Sequence, residues 1–347
     1  MSDLTANEKL LISKICENNL EEVKQLLNES DVRIDCCDDN GMTGLQHSAY
    51  KGNDRICEYL IERGADVNHS QQIQGYTALM FAALGGHESV VSLLLESDAN
   101  IDAINSVNRN AAQMAAFVGQ HSAVAIINNF IRRQDIEYYT RIHGLETEPM
   151  ITGRLVSPLH ALVRQTNIHP IRIGLFLKNN WILIENGNKM IKVLELICEK
   201  QLKDKQNEMI SMKIHYLAFL LRHSLKHLLK HHDKDSKQTK EEGIKKLELL
   251  LKSWLKSRES DGFPVFLEQL LRQSIREYPH HESALFQQLI RTLSTVEIGS
   301  EPSAISILSQ AINGQKGFND ESLVCGTCGD NKPTKRCSQC KQITYTL

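Results

Sequence analysis

Along the first 130 residues, apolar positions fall at intervals of three and four within short runs, and the runs themselves recur. "NGMTGLQHSAYKGNDRICEYLIERGADVN", "QGYTALMFAALGGHESVVSLLLESDANID" and "VNRNAAQMAAFVGQHSAVAIINNF" align without gaps, and "EKLLISKICENNLEEVKQLLNES" precedes them. Asn18, Gly52, Gly86 and Gly119 mark the same place in each, 33 or 34 residues apart. The spacing predicts two short helices per unit. Thr43 and Thr77 stand where a hydroxyl caps the first helix, and the glycines stand where the chain turns left-handed between the two. Ala49, Ala83 and Ala116 are small where helices of neighbouring units are expected to touch. Ile56, Leu60, Val90, Leu94, Val124 and Ile127 supply a shared core. No unit of this size buries its own apolar face, so the units must stack.

A period near 33 with a T-x-L-x-x-A-A-x-x-G core resembles the ankyrin repeat. The resemblance implies an all-α solenoid of about four units over residues 1–130, each a β-turn followed by two antiparallel helices. Gly44-Leu45-Gln46, Ala78-Leu79-Met80 and Ala111-Ala112-Gln113 replace the usual Pro-Leu-His, and Asp98 replaces a helix-ending glycine. These departures are expected to loosen hydrogen bonding between repeats. Positions that the family leaves variable on its concave face are His47, Phe81 and Met114, then Tyr50, Leu84 and Phe117, with Tyr76 on a finger loop. Six of them (Tyr50, Tyr76, Phe81, Leu84, Met114 and Phe117) are large and apolar where solvent would favour polar groups. They form either a partner groove or a surface covered by a later segment of the same chain.

Beyond residue 130 the period is lost. Residues 131–156 carry Gly, Pro and mixed charge and suggest an irregular linker. "SPLHALVRQTNIHPIRIGLFLKNN" follows, and its Ser157-Pro158-Leu159-His160-Ala161 gives an isolated, degenerate ankyrin-like unit over 157–186. From 187 to 315 amphipathic helical spacing is continuous, which predicts a helical bundle packed on the repeats, with Pro264 and Pro302 just inside helix starts. His223, His227 and His231 line one helical face, but without carboxylates on that face or a partner from a third helix they are expected to form a solvated or half-buried stripe rather than a metal site.

The formal net charge of −2 gives no basic field for nucleic acid, and neither a secretory leader nor a membrane-length apolar run is visible. No phosphate loop, HExxH or nucleophile elbow is present. Nine cysteines are distributed as five scattered thiols and four in the last 23 residues, which points to a reducing compartment. The four are Cys325-x-x-Cys328, eight residues, then Cys337-x-x-Cys340. Such spacing suits four thiolates around zinc, with Lys335 and Arg336 offsetting their charge.

This tail resembles the opening of a MYND zinc finger over 320–347, with Tyr345 matching the family tyrosine and Thr346 standing where the next cysteine is expected. The resemblance implies two interleaved zinc sites. Cys325 and Cys328 would share one ion with the next cysteine pair, and Cys337 and Cys340 the other ion with a histidine and a last cysteine. The segment therefore holds half of each site. A single-zinc knuckle, a disordered tail and a truncated isoform or gene model are all open.

Repeats, "SPLH" unit, helical region and finger together resemble the ankyrin repeat and MYND domain-containing family. That resemblance implies a non-enzymatic, zinc-binding adaptor for other proteins or peptides, cytoplasmic and associated with trafficking of signalling proteins to the cilium. It implies no nucleic-acid partner and no membrane insertion. The alternatives are a MYND-associated methyltransferase and a zinc-dependent transcriptional regulator. Asn68-His69-Ser70, similar to the Asn-His of SET methyltransferases, lies in a repeat loop without the rest of that site.

Overall fold

A computed structural model describes residues 4–29, 31–144, 147–204, 207–230, 239–260, 262–313, 335–336 and 344–345. The chain divides into two compact units, Met1–Phe130 and Ile131 onward. The fold is all-α, apart from one two-residue antiparallel pair, Lys335–Arg336 with Thr344–Tyr345.

The first unit is four helix pairs: α1 (Ala6–Cys16) with α2 (Leu20–Glu29), α3 (Gly44–Lys51) with α4 (Asp54–Glu62), α5 (Ala78–Gly85) with α6 (Glu88–Glu96), and α7 (Ala111–Phe117) with α8 (His121–Asn128). The first helices of the pairs pack in one row and the second helices in another. Between the rows lies a core of Leu11, Leu45, Ile56, Leu60, Leu79, Val90, Leu94 and Ile127. Such short helices are marginal alone, so stacking and caps hold them. Thr5, Thr43, Thr77 and Asn110 each cap a first helix through a side-chain oxygen. Gly52 and Gly86 are left-handed, and so are Asn18 and Asp98, the two residues that stand in for glycine. Short polar side chains bear that conformation at modest cost. Ala49 and Ala83 are fully buried, as the pattern predicts. Ala116 is exposed instead, because α7 belongs to the last pair of this unit and no further pair of the unit stacks on it.

The expected loosening between repeats is not observed at the junction of the second and third pairs. Gln46, buried where histidine is usual, accepts the Thr43 amide at 3.0 Å and donates to the carbonyls of His69 (2.8 Å) and Tyr76 (3.0 Å). A side-chain amide carries both functions, so one residue closes the capping box and ties down the next loop.

The second unit comprises α9 (Arg133–Glu137), α10 (Gly153–Val163), α11 (Pro170–Asn179), α12 (Ile182–Glu185), α13 (Gly187–Lys203), α14 (Glu208–Lys230), α15 (Lys240–Trp254), α16 (Val265–Arg276), α17 (Ala284–Thr295) and α18 (Ala304–Asn313). Helix α14 is the axis, packed by α11, α13, α15, α16, α17 and α18. It is not amphipathic at its centre, where every residue from 210 to 221 is buried. A helix surrounded on all sides must be apolar all round or satisfy its polar groups. Ser211 bonds the Tyr278 hydroxyl at 2.8 Å, His215 donates to the Ser274 carbonyl at 2.9 Å, and the Tyr216 hydroxyl donates to the Ile168 carbonyl at 2.7 Å.

Two sequence expectations change here. Residues 131–156 are not a bare linker, because Ile136, Tyr139, Ile151, Leu155 and Val156 enter the same core as α14. Nor is 157–186 an isolated repeat unit. Helix α10 begins at Gly153, which places Ser157 and Pro158 inside it rather than at its cap, and Leu159, Ile171 and Leu177 join that common core. Pro158 is the sixth residue of α10 and removes one hydrogen bond to the preceding turn, so a proline that usually marks a helix start lies here past the first turn. Pro264 is an N-cap residue and Pro302 precedes α18 by two positions. His223 of the histidine stripe lies between the rings of Phe219 and Trp254.

Candidate protein-binding face of the repeat array

Each of the last three pairs of the repeat unit is preceded by a finger loop. Finger 1 spans residues 36–43 and closes with a bridge between Cys37 and Thr43. Finger 2, residues 69–77, abuts it: a methyl group placed on Gly41 would lie 3.2 Å from the Gln72 backbone. Finger 3, residues 103–110, joins finger 2 through the Ser106 amide, which donates to the Gln74 carbonyl at 2.9 Å. Finger 2 is therefore the middle of three.

An aromatic cluster lies at the junction of fingers and first helices. The Tyr50 and Phe81 rings meet edge to face at 6.0 Å, and Tyr76 tilts onto Phe81 at 5.4 Å. Tyr50 is 55% exposed, while Tyr76, Phe81 and Leu84 are half-buried. Phe117 is 71% exposed, with the Arg109 guanidinium 4.5 Å above its ring. Aromatic pairs of this geometry add about 0.5–1.5 kcal/mol beyond their buried area, so the cluster is held in place before anything binds. His47, at the first variable position, is half-buried and bonded to Asp38 at 3.0 Å.

Met114 does not belong to this face. It is only 6% exposed, and its sulfur accepts from the Asn105 amide at 3.3 Å. The structure adds residues that the repeat alignment passes over: Ile73 at the tip of finger 2 is 90% exposed, and Ile104 and Val107 on finger 3 are also exposed. They fall in loops, where helical periodicity has no reach. The signal open to a sequence reader was three large aliphatics inside "SQQIQG" and "AINSVN", which otherwise read as polar turns.

Cys37 and His69 approach at 3.5 Å, but burial pushes the Cys37 thiol above its ordinary range, the opposite of a nucleophile's activation. Among the described residues no group of three or more His, Cys, Asp or Glu side chains is placed to hold a metal. Cys325, Cys328, Cys337 and Cys340 lie outside the described residues. No helix among the described residues is long and apolar enough to cross a membrane.

Stacked helix pairs, capping threonines and left-handed inter-helix residues define an ankyrin-repeat protein, and the ankyrin-repeat family profile (three copies) matches residues 10–105 and 64–137. Over 338 residues the chain is 32% identical to the Caenorhabditis elegans protein named Dauer abnormal formation protein 25, spanning 95% of this chain and 84% of that protein. The chain belongs to that protein's family.

Proposed function

We propose that this protein is a non-enzymatic adaptor that holds other proteins on the finger and first-helix face of its ankyrin array. The observation that carries the proposal is the Tyr50–Phe81–Tyr76 cluster, which presents preorganised aromatic surface beside the exposed Phe117. Aromatic residues and arginine are the side chains that most often dominate protein interfaces. Phe81→Glu places a charge at the centre of the cluster. Proteins retained by the wild-type chain in a pulldown should be lost from this variant while its circular dichroism is unchanged. Equal retention by both would overturn the reading.

The C-terminal cysteines are proposed as zinc ligands, supported by the two CxxC pairs and by the resemblance to the MYND finger. Metal analysis of the purified chain should find one zinc, lost when Cys325 and Cys337 are changed to serine. No zinc in the wild-type chain would remove the tail from the proposal. The same family resemblance extends the adaptor role to trafficking of signalling proteins to the cilium from the cytoplasm. Fluorescent tagging in ciliated cells tests this: unchanged ciliary cargo after depletion of the protein would refute it.

A further inference from the structure

The polarity of the repeat face points to the chemistry of its occupant. Its middle is uncharged: residues 67–76 and 103–108 contain no Asp, Glu, Lys or Arg, yet present Ile73, Ile104 and Val107 to solvent. Its ends are charged with opposite sign. Finger 1 carries Asp38, already bonded to His47, and the exposed Asp39, which makes no ion pair among the described residues. The far end carries Arg109, stacked on Phe117 and likewise without an ion pair among the described residues. A guanidinium lying on an exposed ring has its stem fixed and its N–H edge free, the arrangement that suits a carboxylate.

The finger tips are rigid as built. The Gly75 amide donates to the Gln72 carbonyl and the Gln72 side chain to the Tyr76 carbonyl, while the Asn105 side-chain oxygen accepts from both Val107 and Arg109. An apolar ridge held in this way loses little entropy on binding. Residues 67–76 and 103–108 carry none of the clustered lysines and arginines that anionic lipid or nucleic-acid backbone would require.

We infer that the face takes a polypeptide segment of another protein in one fixed direction: large apolar side chains over Ile73 and the Phe81 cluster, an acidic residue at Arg109, and a basic residue at Asp39. The inference rests on the adaptor reading and adds the ligand's polarity to it.

The test uses the full chain as bait for a phage-displayed library of random 12-residue peptides. Enriched peptides should carry at least two large apolar residues, with Asp or Glu toward one end and Lys or Arg toward the other. One selected peptide, measured by fluorescence anisotropy, should bind Ile73→Asp and Arg109→Glu at least 10-fold more weakly. Replacing its acidic residue with arginine should restore binding to Arg109→Glu but not to Ile73→Asp. Apolar peptides without charge preference, or no rescue by the swap, would overturn the polarity and leave the adaptor reading intact. No enrichment, or a selected peptide indifferent to Phe81→Glu, would overturn both. Two further outcomes also overturn the inference. One is self-association in sedimentation that Ile73→Asp abolishes, which makes the occupant a second copy. The other is binding to phosphatidylcholine vesicles, which makes it a lipid surface.

Discussion

Glu268 and Arg272, one turn apart on α16, form a buried pair that fastens two other helices, and the consequences of breaking it can be worked out. Arg272 Nε lies 2.7 Å from Glu268 Oε1, and both side chains are less than one-tenth exposed. The remaining guanidinium nitrogens donate to the carbonyls of Leu293 (3.0 Å) and Val296 (2.9 Å), at the end of α17. The other Glu268 oxygen accepts from the amide of Ala304 at 2.9 Å, the first residue of α18. Each ion thus spends its spare hydrogen-bonding capacity on a helix terminus, one carbonyl end and one amide end, as the helix dipoles favour.

Arg272→Met leaves a buried carboxylate with one amide for company and two carbonyls without donors. Removing one partner of a buried pair costs about 3–5 kcal/mol. With a urea slope of about 2–3 kcal/mol/M, the unfolding midpoint should fall by roughly 1–2.5 M. The two tryptophans of the chain, Trp181 and Trp254, both lie in the second unit and are buried there, so fluorescence follows this unit without interference from the repeats. Arg272→Lys should lose less, about 1–3 kcal/mol, because an ammonium cannot span a carboxylate and two carbonyls from one fork. The double variant Glu268→Leu/Arg272→Met should fall short of the sum of its singles by about 1–3 kcal/mol, since neither charge is left stranded. Additive losses, or a loss under about 1 kcal/mol for Arg272→Met, would refute the clamp.

Three other perturbations have predictable signs. Lys213 is buried in α14 with no hydrogen-bond partner for its amine among the described residues, and burial lowers its pKa well below 10.5. The unfolded chain therefore binds a proton that the folded chain does not, and stability rises with pH up to about 10 with a slope near 1.4 kcal/mol per unit. Lys213→Met should raise stability at pH 7 by about 2 kcal/mol or more and flatten that slope in urea titrations; a destabilised variant would sink the account. In the repeat unit, the hydrogen bond from Arg33, helped by the Thr5 amide, holds the buried Glu8 carboxyl down to about 2. Its contribution is complete above 4.5 and is lost as pH falls toward 2, so Glu8→Ala should remove part of the acid sensitivity seen by circular dichroism, with a loss at pH 7 of about 1–2 kcal/mol. Gly52→Ala should cost about 1–3 kcal/mol by the same measurement: φ is +73°, and the new methyl group would meet the His87 ring, which donates to the Tyr50 carbonyl.

The repeat unit was open to sequence reading because its determinants are local and periodic. A threonine cap, an alanine contact and a left-handed residue recur in register, and even the substitutes Asn18 and Asp98 adopt the glycine conformation. The second unit resisted because its determinants are pairings between distant segments. Nothing within "LEQLLRQS" says that Glu268 and Arg272 turn inward to meet Ala304 and Val296 rather than outward to water. Likewise "PLHA" looks the same whether it opens a helix or sits five residues into one, and only the core shared with α14 decides.

The candidate face was half legible for the same reason. Residues of the first helices fall on a periodic grid, so the exposure of Tyr50 and Phe117 and the partial exposure of Phe81 could be read from it. Met114 sits on that grid too, but Asn105 of finger 3 covers its sulfur, and a loop's cover is invisible to helical periodicity. Ile73, Ile104 and Val107 are off the grid altogether. An exposed isoleucine in a loop of glutamines stabilises nothing in the fold that holds it, and at 90% exposure Ile73 contributes almost no buried apolar area. Side chains that the fold does not use and solvent does not favour are where a surface is set up for something else. Three of them on two adjoining fingers are the residues that the proposed docking of an apolar segment uses.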